Sequence, residues 1–393
     1  MLQQFPPMGV YETLFKFADA TAKYMGDPGT HPWAQGYPLT TQLPGGPPLP
    51  DRIELRATDL KYPKATGEIE LRERIADYYN EYYDARITPD HVAVFAGGRP
   101  GILATLAFLE GDVGIAIEET EYTPYYDMLK ILGREVHLIP SNAGNRFRPA
   151  SSDYEVVPPA QTERVLLVKS NPCNPTGVMT RGEALQDLVN QYSRSGHGAL
   201  FDEAYEFYAD PEPESALKYI ENIDNTDIFV VGAATKGLQV PGMRTGWIVA
   251  AERHIEIFRN YSSFGMGGIS RPSQLYVAEL LAPARARQAR SAVNRFFTAQ
   301  RKRYETGLKD LGFELFTGDG GFYHWGRLPG ELSADAFNER LFKHNAGILP
   351  GVLCDMQRRQ GEDGPLHRFI RFSFGPLGPE SFDNDMEILA QCV

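Results

Sequence analysis

Seven short apolar runs, spread over residues 92–250, limit most tightly what this chain can fold into. They are Val92-Ala93-Val94-Phe95, Val113-Gly114-Ile115-Ala116-Ile117, Val136-His137-Leu138-Ile139, Val165-Leu166-Leu167-Val168, Ala199-Leu200-Phe201, Ile228-Phe229-Val230-Val231 and Trp247-Ile248-Val249-Ala250. Helix-period stretches at residues 68–82, 99–109, 124–132 and 181–193 alternate with them. Brief apolar strands joined by crossover helices predict an α/β fold with a mostly parallel seven-stranded sheet covered on both faces. Ligands bind such sheets beyond the carboxyl ends of the strands, and the polar motifs of this chain lie there.

The flanks read differently. An amphipathic helix is expected over residues 12–25, with Leu14, Phe17, Ala18, Ala22 and Met25 on one face. Residues 27–50 are too rich in Pro and Gly for regular structure but carry Trp33 and Tyr37. They form either a disordered arm or, as the aromatics favour, a strap closing over a site. Residues 285–311 read as a long basic helix, followed by a small α+β unit ending in a helix near residues 379–389. The expected division is an arm and strap at 1–46 belonging to the small domain, a large domain at 47–285 and a small α+β domain at 286–393.

The net charge of −12 and the lack of a Lys/Arg block argue against nucleic acid. Cys173, Cys354 and Cys392 are too few and too scattered for a disulfide framework or a zinc site, so no metal is expected. The first residues lack a signal-peptide pattern, and no apolar run approaches the length of a membrane span. A soluble cytoplasmic protein, with neither membrane nor nucleic acid as partner, is the expectation.

Four motifs sit at strand ends. Lys236 follows one apolar run and precedes another, with Arg244 eight residues on. A lysine between buried strands is costly unless neutral, paired or covalently used. An imine with an aldehyde cofactor satisfies all three, and Arg244 could hold that cofactor's phosphate; a surface loop lysine is the alternative. Gly97-Gly98-Arg99-Pro100-Gly101 opens a helix after a strand, where backbone N–H groups meet phosphate, although any tight turn also favours glycine. Asn171-Pro172-Cys173-Asn174-Pro175-Thr176-Gly177 carries two Asn-Pro units, which extend the backbone at each asparagine and aim the Asn174 amide out of the sheet. Asp202-Glu203-Ala204-Tyr205 ends a strand in a carboxylate, suited to a protonated pyridine nitrogen or, equally, to capping a helix.

In this order the motifs resemble those of fold-type I pyridoxal-phosphate enzymes, and among them the class I/II aminotransferases. The resemblance runs from Leu43 to the C-terminal region. It implies that Lys236 holds the cofactor as an imine and later moves the proton at the substrate's α-carbon. Asp202 would pair with the ring nitrogen, and Asn174 and Tyr205 with the phenolic oxygen. Tyr122 would stack on the ring. Gly98, Arg99, Thr235 and Arg244 would hold the phosphate. Tyr62 would reach the phosphate of a neighbouring subunit, implying a two-fold homodimer. Gly46 and Arg371, with Asn174, would receive the substrate carboxylate.

The chain departs from the pattern at Ala233, at Gly97-Gly98-Arg99-Pro100, at Gly318-Asp319-Gly320-Gly321-Phe322 and at Glu118-Glu119-Thr120-Glu121. These departures suggest a specialised relative. The expected activity is transamination of an L-amino acid to a 2-oxo acid. The alternative is a non-transaminating relative that eliminates, replaces or cyclises, like the capreomycidine-type cyclases acting on a hydroxylated arginine. Strand alternation would put Glu119 and Glu121 on one side. With Asp27, His31 and Trp33 of the strap, they would suit a cationic, arginine-like side chain.

Overall fold

The computed structural model describes every residue except Gln3, Ala160 and Ser195. All seven apolar runs are strands: β1 (Val92–Phe95), β2 (Val113–Glu118), β3 (Val136–Ile139), β4 (Arg164–Ser170), β5 (Gly198–Asp202), β6 (Asp227–Ala233) and β7 (Gly246–Val249). They form one sheet in the order β1-β7-β6-β5-β4-β2-β3. All neighbours are parallel except β7, which runs antiparallel to both β1 and β6. The reason is local: no crossover helix separates β6 from β7, so the chain turns and must return in the opposite direction.

The helices are α1 (Tyr11–Thr21), α2 (Ile69–Tyr83), α3 (Gly98–Ala107), α4 (Thr123–Leu132), α5 (Glu183–Tyr192), the single turn α6 (Ala234–Gly237), α7 (Glu252–Tyr261), α8 (Arg271–Leu280), α9 (Pro283–Asp310), α10 (Ala334–Phe342) and α11 (Phe382–Cys392). Alternate residues of one strand enter different cores. Val165 and Leu167 join one face with Leu71, Leu188 and Val293, while Leu166 and Val168 join the other with Ile102, Leu129 and Phe258. Burying a side chain of this size contributes about 1.5–3 kcal/mol, which is why these strands show no polar alternation.

A second, antiparallel sheet has the order β10-β11-β9-β8, from β8 (Glu314–Leu315), β9 (Tyr323–Arg327), β10 (Leu349–Pro350) and β11 (Phe369–Ser373). The strap is ordered against it: Ser373 N–H donates to Trp33 O at 2.8 Å and Leu39 N–H to Gly375 O at 2.7 Å. Trp33 is fully buried beside Phe372. The boundary expected at 285/286 falls inside the first turn of α9, a helix started by Pro283.

Some elements differ from expectation. The first helix is shorter than 12–25, because Ala22 takes a left-handed conformation that ends it and leaves Ala22 exposed. Phe17 and Met25 are buried as expected. Helices α7, α8 and α10 were not anticipated; their polar residues hide the period, and only one flank of each packs inward. Among the described residues no helix is long and apolar enough to cross a membrane.

Inside the large sheet, Lys169 donates to Glu118 and, at 3.0 Å, to Tyr154, and both charged groups are almost fully buried. Replacing Lys169 by Met leaves Glu118 uncompensated, so urea unfolding should show a loss of about 3–5 kcal/mol. The double variant with Glu118→Leu should recover much of it. Equal stability of the single variant and the parent would contradict the pairing.

Candidate active site

The carboxyl ends of β1, β4, β5 and β6 bring the sequence motifs together. β6 ends at Ala233, and α6 lifts Lys236 above the sheet. The turn is tight because Gly237 lies on the Phe207 ring, which a Cβ would meet at 3.0 Å. Past it, Arg244 takes a left-handed backbone (φ 49°) and donates to Pro241 O at 3.0 Å and Ala96 O at 3.2 Å. Its guanidinium lies over Gly97, where a Cβ would come within 2.6 Å of Nη2. Gly97 itself has φ +100°, so it suits glycine on two counts and opens α3 with the N–H groups of Gly98 and Arg99 at the helix start.

The electrostatics centre on Lys236. Burial lowers its ammonium pKa from 10.5 to about 7, with Arg371, Arg99 and Arg244 lowering it further and Asp202 opposing them. Nζ donates to Gly36 O and lies 5.7 Å from the centre of the Tyr205 ring. Asp202 ends β5, buried, and burial raises its carboxyl above the usual range. It accepts from Tyr125 O–H at 2.9 Å and Ala204 N–H at 3.1 Å. The backbone bond shows the capping role, yet among the described residues the ionised form lacks a cationic partner in contact.

Above β4, Asn174 is buried and joins two sides of the site. Its Oδ1 accepts from Arg371 Nη1 at 2.8 Å, and its Nδ2 approaches Tyr205 Oη at 3.4 Å. Arg371 arrives from β11, buried, with Nη2 donating to Ala34 O at 2.7 Å and Nε–H without a partner among the described residues. A guanidinium has five N–H donors, so this one retains several for a carboxylate. Arg371 also stacks on Tyr323, 4.3 Å from the ring centre.

Lys236, Asp202, Asn174, Tyr205, Tyr122, Arg99, Arg244 and Arg371 are therefore assembled, with Thr235 and Gly98 on the adjoining turns. Tyr62 is 94% exposed. Gly46 stands elsewhere: its N–H donates to Leu43 O at 2.8 Å, and it packs towards Ala292 of α9. The glycine at the site is Gly36, where a Cβ would meet Tyr323 Oη at 2.3 Å.

The acidic edge expected near Tyr122 is also corrected. β2 ends at Glu118, which is taken by Lys169, and Glu119 accepts from Ser141 N–H at 3.3 Å and Asn142 Nδ2 at 3.1 Å. Glu121 is wholly buried against Ser170. In the strap, His31 binds Asp385, Trp33 is core, and Asp27 accepts from Tyr24 N–H. It crosses the site through Gly36, and none of those three residues contacts Lys236 or Arg371 among the described hydrogen bonds.

Sequence reasoning missed Gly36, Tyr125 and Tyr323. Tyr125 carried a usable signal, standing one helical turn from Tyr122 and so on its face. Tyr323 lay within the small α+β unit with no motif to single it out, and Gly36 was one of several glycines in the strap.

Three guanidiniums against one carboxylate, with an amine of lowered pKa between, suit an anionic ligand that reacts with amines. These groups fit pyridoxal phosphate: Asp202 for the ring nitrogen, Tyr122 for the ring face, Asn174 and Tyr205 for the phenolic oxygen, and the α3 start with Arg99, Thr235 and Arg244 for the phosphate.

The chain is 26% identical over 302 residues to an aspartate aminotransferase of Thermotoga maritima, covering 76% of this chain and 77% of that one. It is 27% identical over 356 residues to a valine–pyruvate aminotransferase of Mycobacterium tuberculosis, covering 86% of each. In fold it superposes with a TM-score of 0.82, at 20% identity and over the full length of both chains, on a tetra mutant of Thermus thermophilus aspartate aminotransferase complexed with tryptophan. The family model for aminotransferase class I and II matches residues 49–377. The chain belongs to the class I and II aminotransferase family.

Proposed function

We propose that this enzyme uses pyridoxal phosphate to transaminate an L-α-amino acid to its 2-oxo acid. The observation that carries the reading is the Lys236 amine, its pKa lowered to about 7 by burial and three guanidiniums, with the carboxylate of Asp202 acting on it in the opposite sense. The cofactor, when bound, supplies an electron-accepting ring that weakens the bonds at the substrate's α-carbon.

The chain's own groups do the rest. Arg371 receives the substrate carboxylate as a planar fork, and Asn174 holds that fork in orientation. Lys236, on its short turn, carries the proton to and from the α-carbon. Asp202 keeps the ring nitrogen protonated, and Tyr125 fixes the orientation of that carboxylate. Gly36 and Tyr323 cover the site and exclude water.

The side chain of the substrate is not specified by the carboxylates once expected to bind a cationic tail, since protein groups take them. The relatives above, named for aspartate and for valine, share the reaction and differ in that side chain. A homodimer is supported by exposed Leu60, Tyr62 and Phe264, on segments that touch where Pro63 meets Gly268. Three free, buried cysteines fit a reducing compartment such as the cytoplasm.

Incubation of the holoenzyme with individual amino acids, read by product mass, should yield the corresponding 2-oxo acids. Consumption of an amino acid without any 2-oxo acid would favour elimination or cyclisation.

Two further outcomes follow from the geometry. Lys236 is protonated below, and free above, about pH 7. Capture of pyridoxal phosphate by cofactor-stripped enzyme should therefore be flat above pH 7 and fall about tenfold per pH unit below it. A rate still climbing towards the ordinary lysine value of 10.5 would contradict the lowered pKa. Arg371→Lys keeps the charge but loses the fork, so KM for the amino acid should rise about ten- to hundredfold with bound cofactor unchanged. An unchanged KM would remove Arg371 from the site.

A further inference from the structure

Glu121 is fully buried directly before the stacking ring of Tyr122, and the roles given above leave it unused. Its Oε2 accepts from Tyr122 N–H at 2.6 Å, and its Oε1 accepts from Ser170 N–H at 2.8 Å. The Ser170 hydroxyl donates to the same carboxylate at 2.8 Å and accepts from Asn174 N–H at 3.0 Å. One carboxylate thus ties the residue that stacks on the cofactor to the residue that orients Arg371.

The backbone extends this brace to the second sheet. Glu121 N–H donates to Cys354 O at 3.0 Å, and Met356 N–H donates to Glu119 O at 2.9 Å. A short bridge between Thr120 and Asp355 lies between them. The segment that presents Tyr122 is therefore pinned from one side by Ser170 at the end of β4 and from the other by residues that lead into β11.

A carboxylate in this place is costly to keep. Burial, with Glu118 nearby, pushes its carboxyl up to about 8. A neutral apolar residue would pack there without that cost, but it would leave the buried N–H groups of Tyr122 and Ser170 without this acceptor. Both oxygens face N–H donors, and an amide side chain can accept on only one.

We propose that Glu121 is a positioning residue that sets the Tyr122 ring and the Asn174 amide relative to Arg371, fixing the cofactor's tilt and the substrate carboxylate together. This rests on pyridoxal phosphate occupying the Lys236 site.

The test compares holoenzyme carrying Glu121→Gln or Ser170→Ala with the parent. Glu121→Gln sets an NH2 group opposite one of the two backbone N–H groups, and Ser170→Ala removes the hydroxyl relay while leaving both N–H contacts to Glu121. Visible circular dichroism per mole of bound cofactor reports the ring's tilt, and KM against kcat reports the substrate carboxylate. Both variants should change the visible dichroism, with KM up about tenfold and kcat altered much less, as expected for one lost buried hydrogen bond. Should Glu121→Gln fold poorly, Ser170→Ala carries the same readouts in an intact core. Parental dichroism and KM in the folded variants would overturn the proposal, as would losses that only track the folded fraction. The dichroism is independent of the reaction catalysed, so failure of the transamination reading shows separately, as parent enzyme that forms no 2-oxo acid.

Discussion

One buried amine among four arginine and carboxylate groups sets the terms for the rest of this structure. Lys236 cannot stay ordinarily basic with Arg371, Arg99 and Arg244 acting on it from a site that burial has stripped of water. The site carries a surplus of positive charge over the single carboxylate of Asp202. An anionic, amine-reactive ligand resolves that surplus, and the groups that would hold its phosphate, ring and phenolic edge stand at different strand ends. The parallel sheet makes this economical, because β1, β4, β5 and β6 all finish on one side.

No one strand end makes the site alone. Arg371 belongs to the antiparallel sheet, Asn174 to the end of β4 and Gly36 to the strap, and they meet through two hydrogen bonds on one guanidinium and one on the amine. The proposed substrate-carboxylate site is thereby linked to how the two sheets are seated. The contacts of residues 119–121 with Cys354 and Met356 hold that seating close to the stacking tyrosine.

Much of this was legible in the residues. The seven strands were readable because their burial on both faces suppresses polar alternation, and the motifs at their ends gave Lys236, Asp202 and Asn174, while the family resemblance gave Arg371. What was not legible depended on tertiary partners. Gly46 and Gly36 both lie in a breaker-rich strap, and only the packing of Tyr323 shows which one the site needs. The glutamates before Tyr122 looked like an open acidic edge because nothing in their spacing reveals that Lys169, Asn142 and Ser170 engage them. Helix α10 was hidden in the same way, since it buries only Ala334, Phe337, Asn338 and Leu341.

The measurement that bears most directly on the central claim is reductive trapping of the bound cofactor. Two lysines of the sheet region are buried or half-buried at strand ends, and they differ in one respect: Lys169 is locked to Glu118, whereas Lys236 has its pKa lowered to about 7. Borohydride reduction of the holoenzyme followed by peptide mapping should place the pyridoxyl group on the peptide containing Lys236. An adduct on Lys169 or any other lysine, with Lys236 unmodified, would contradict the account.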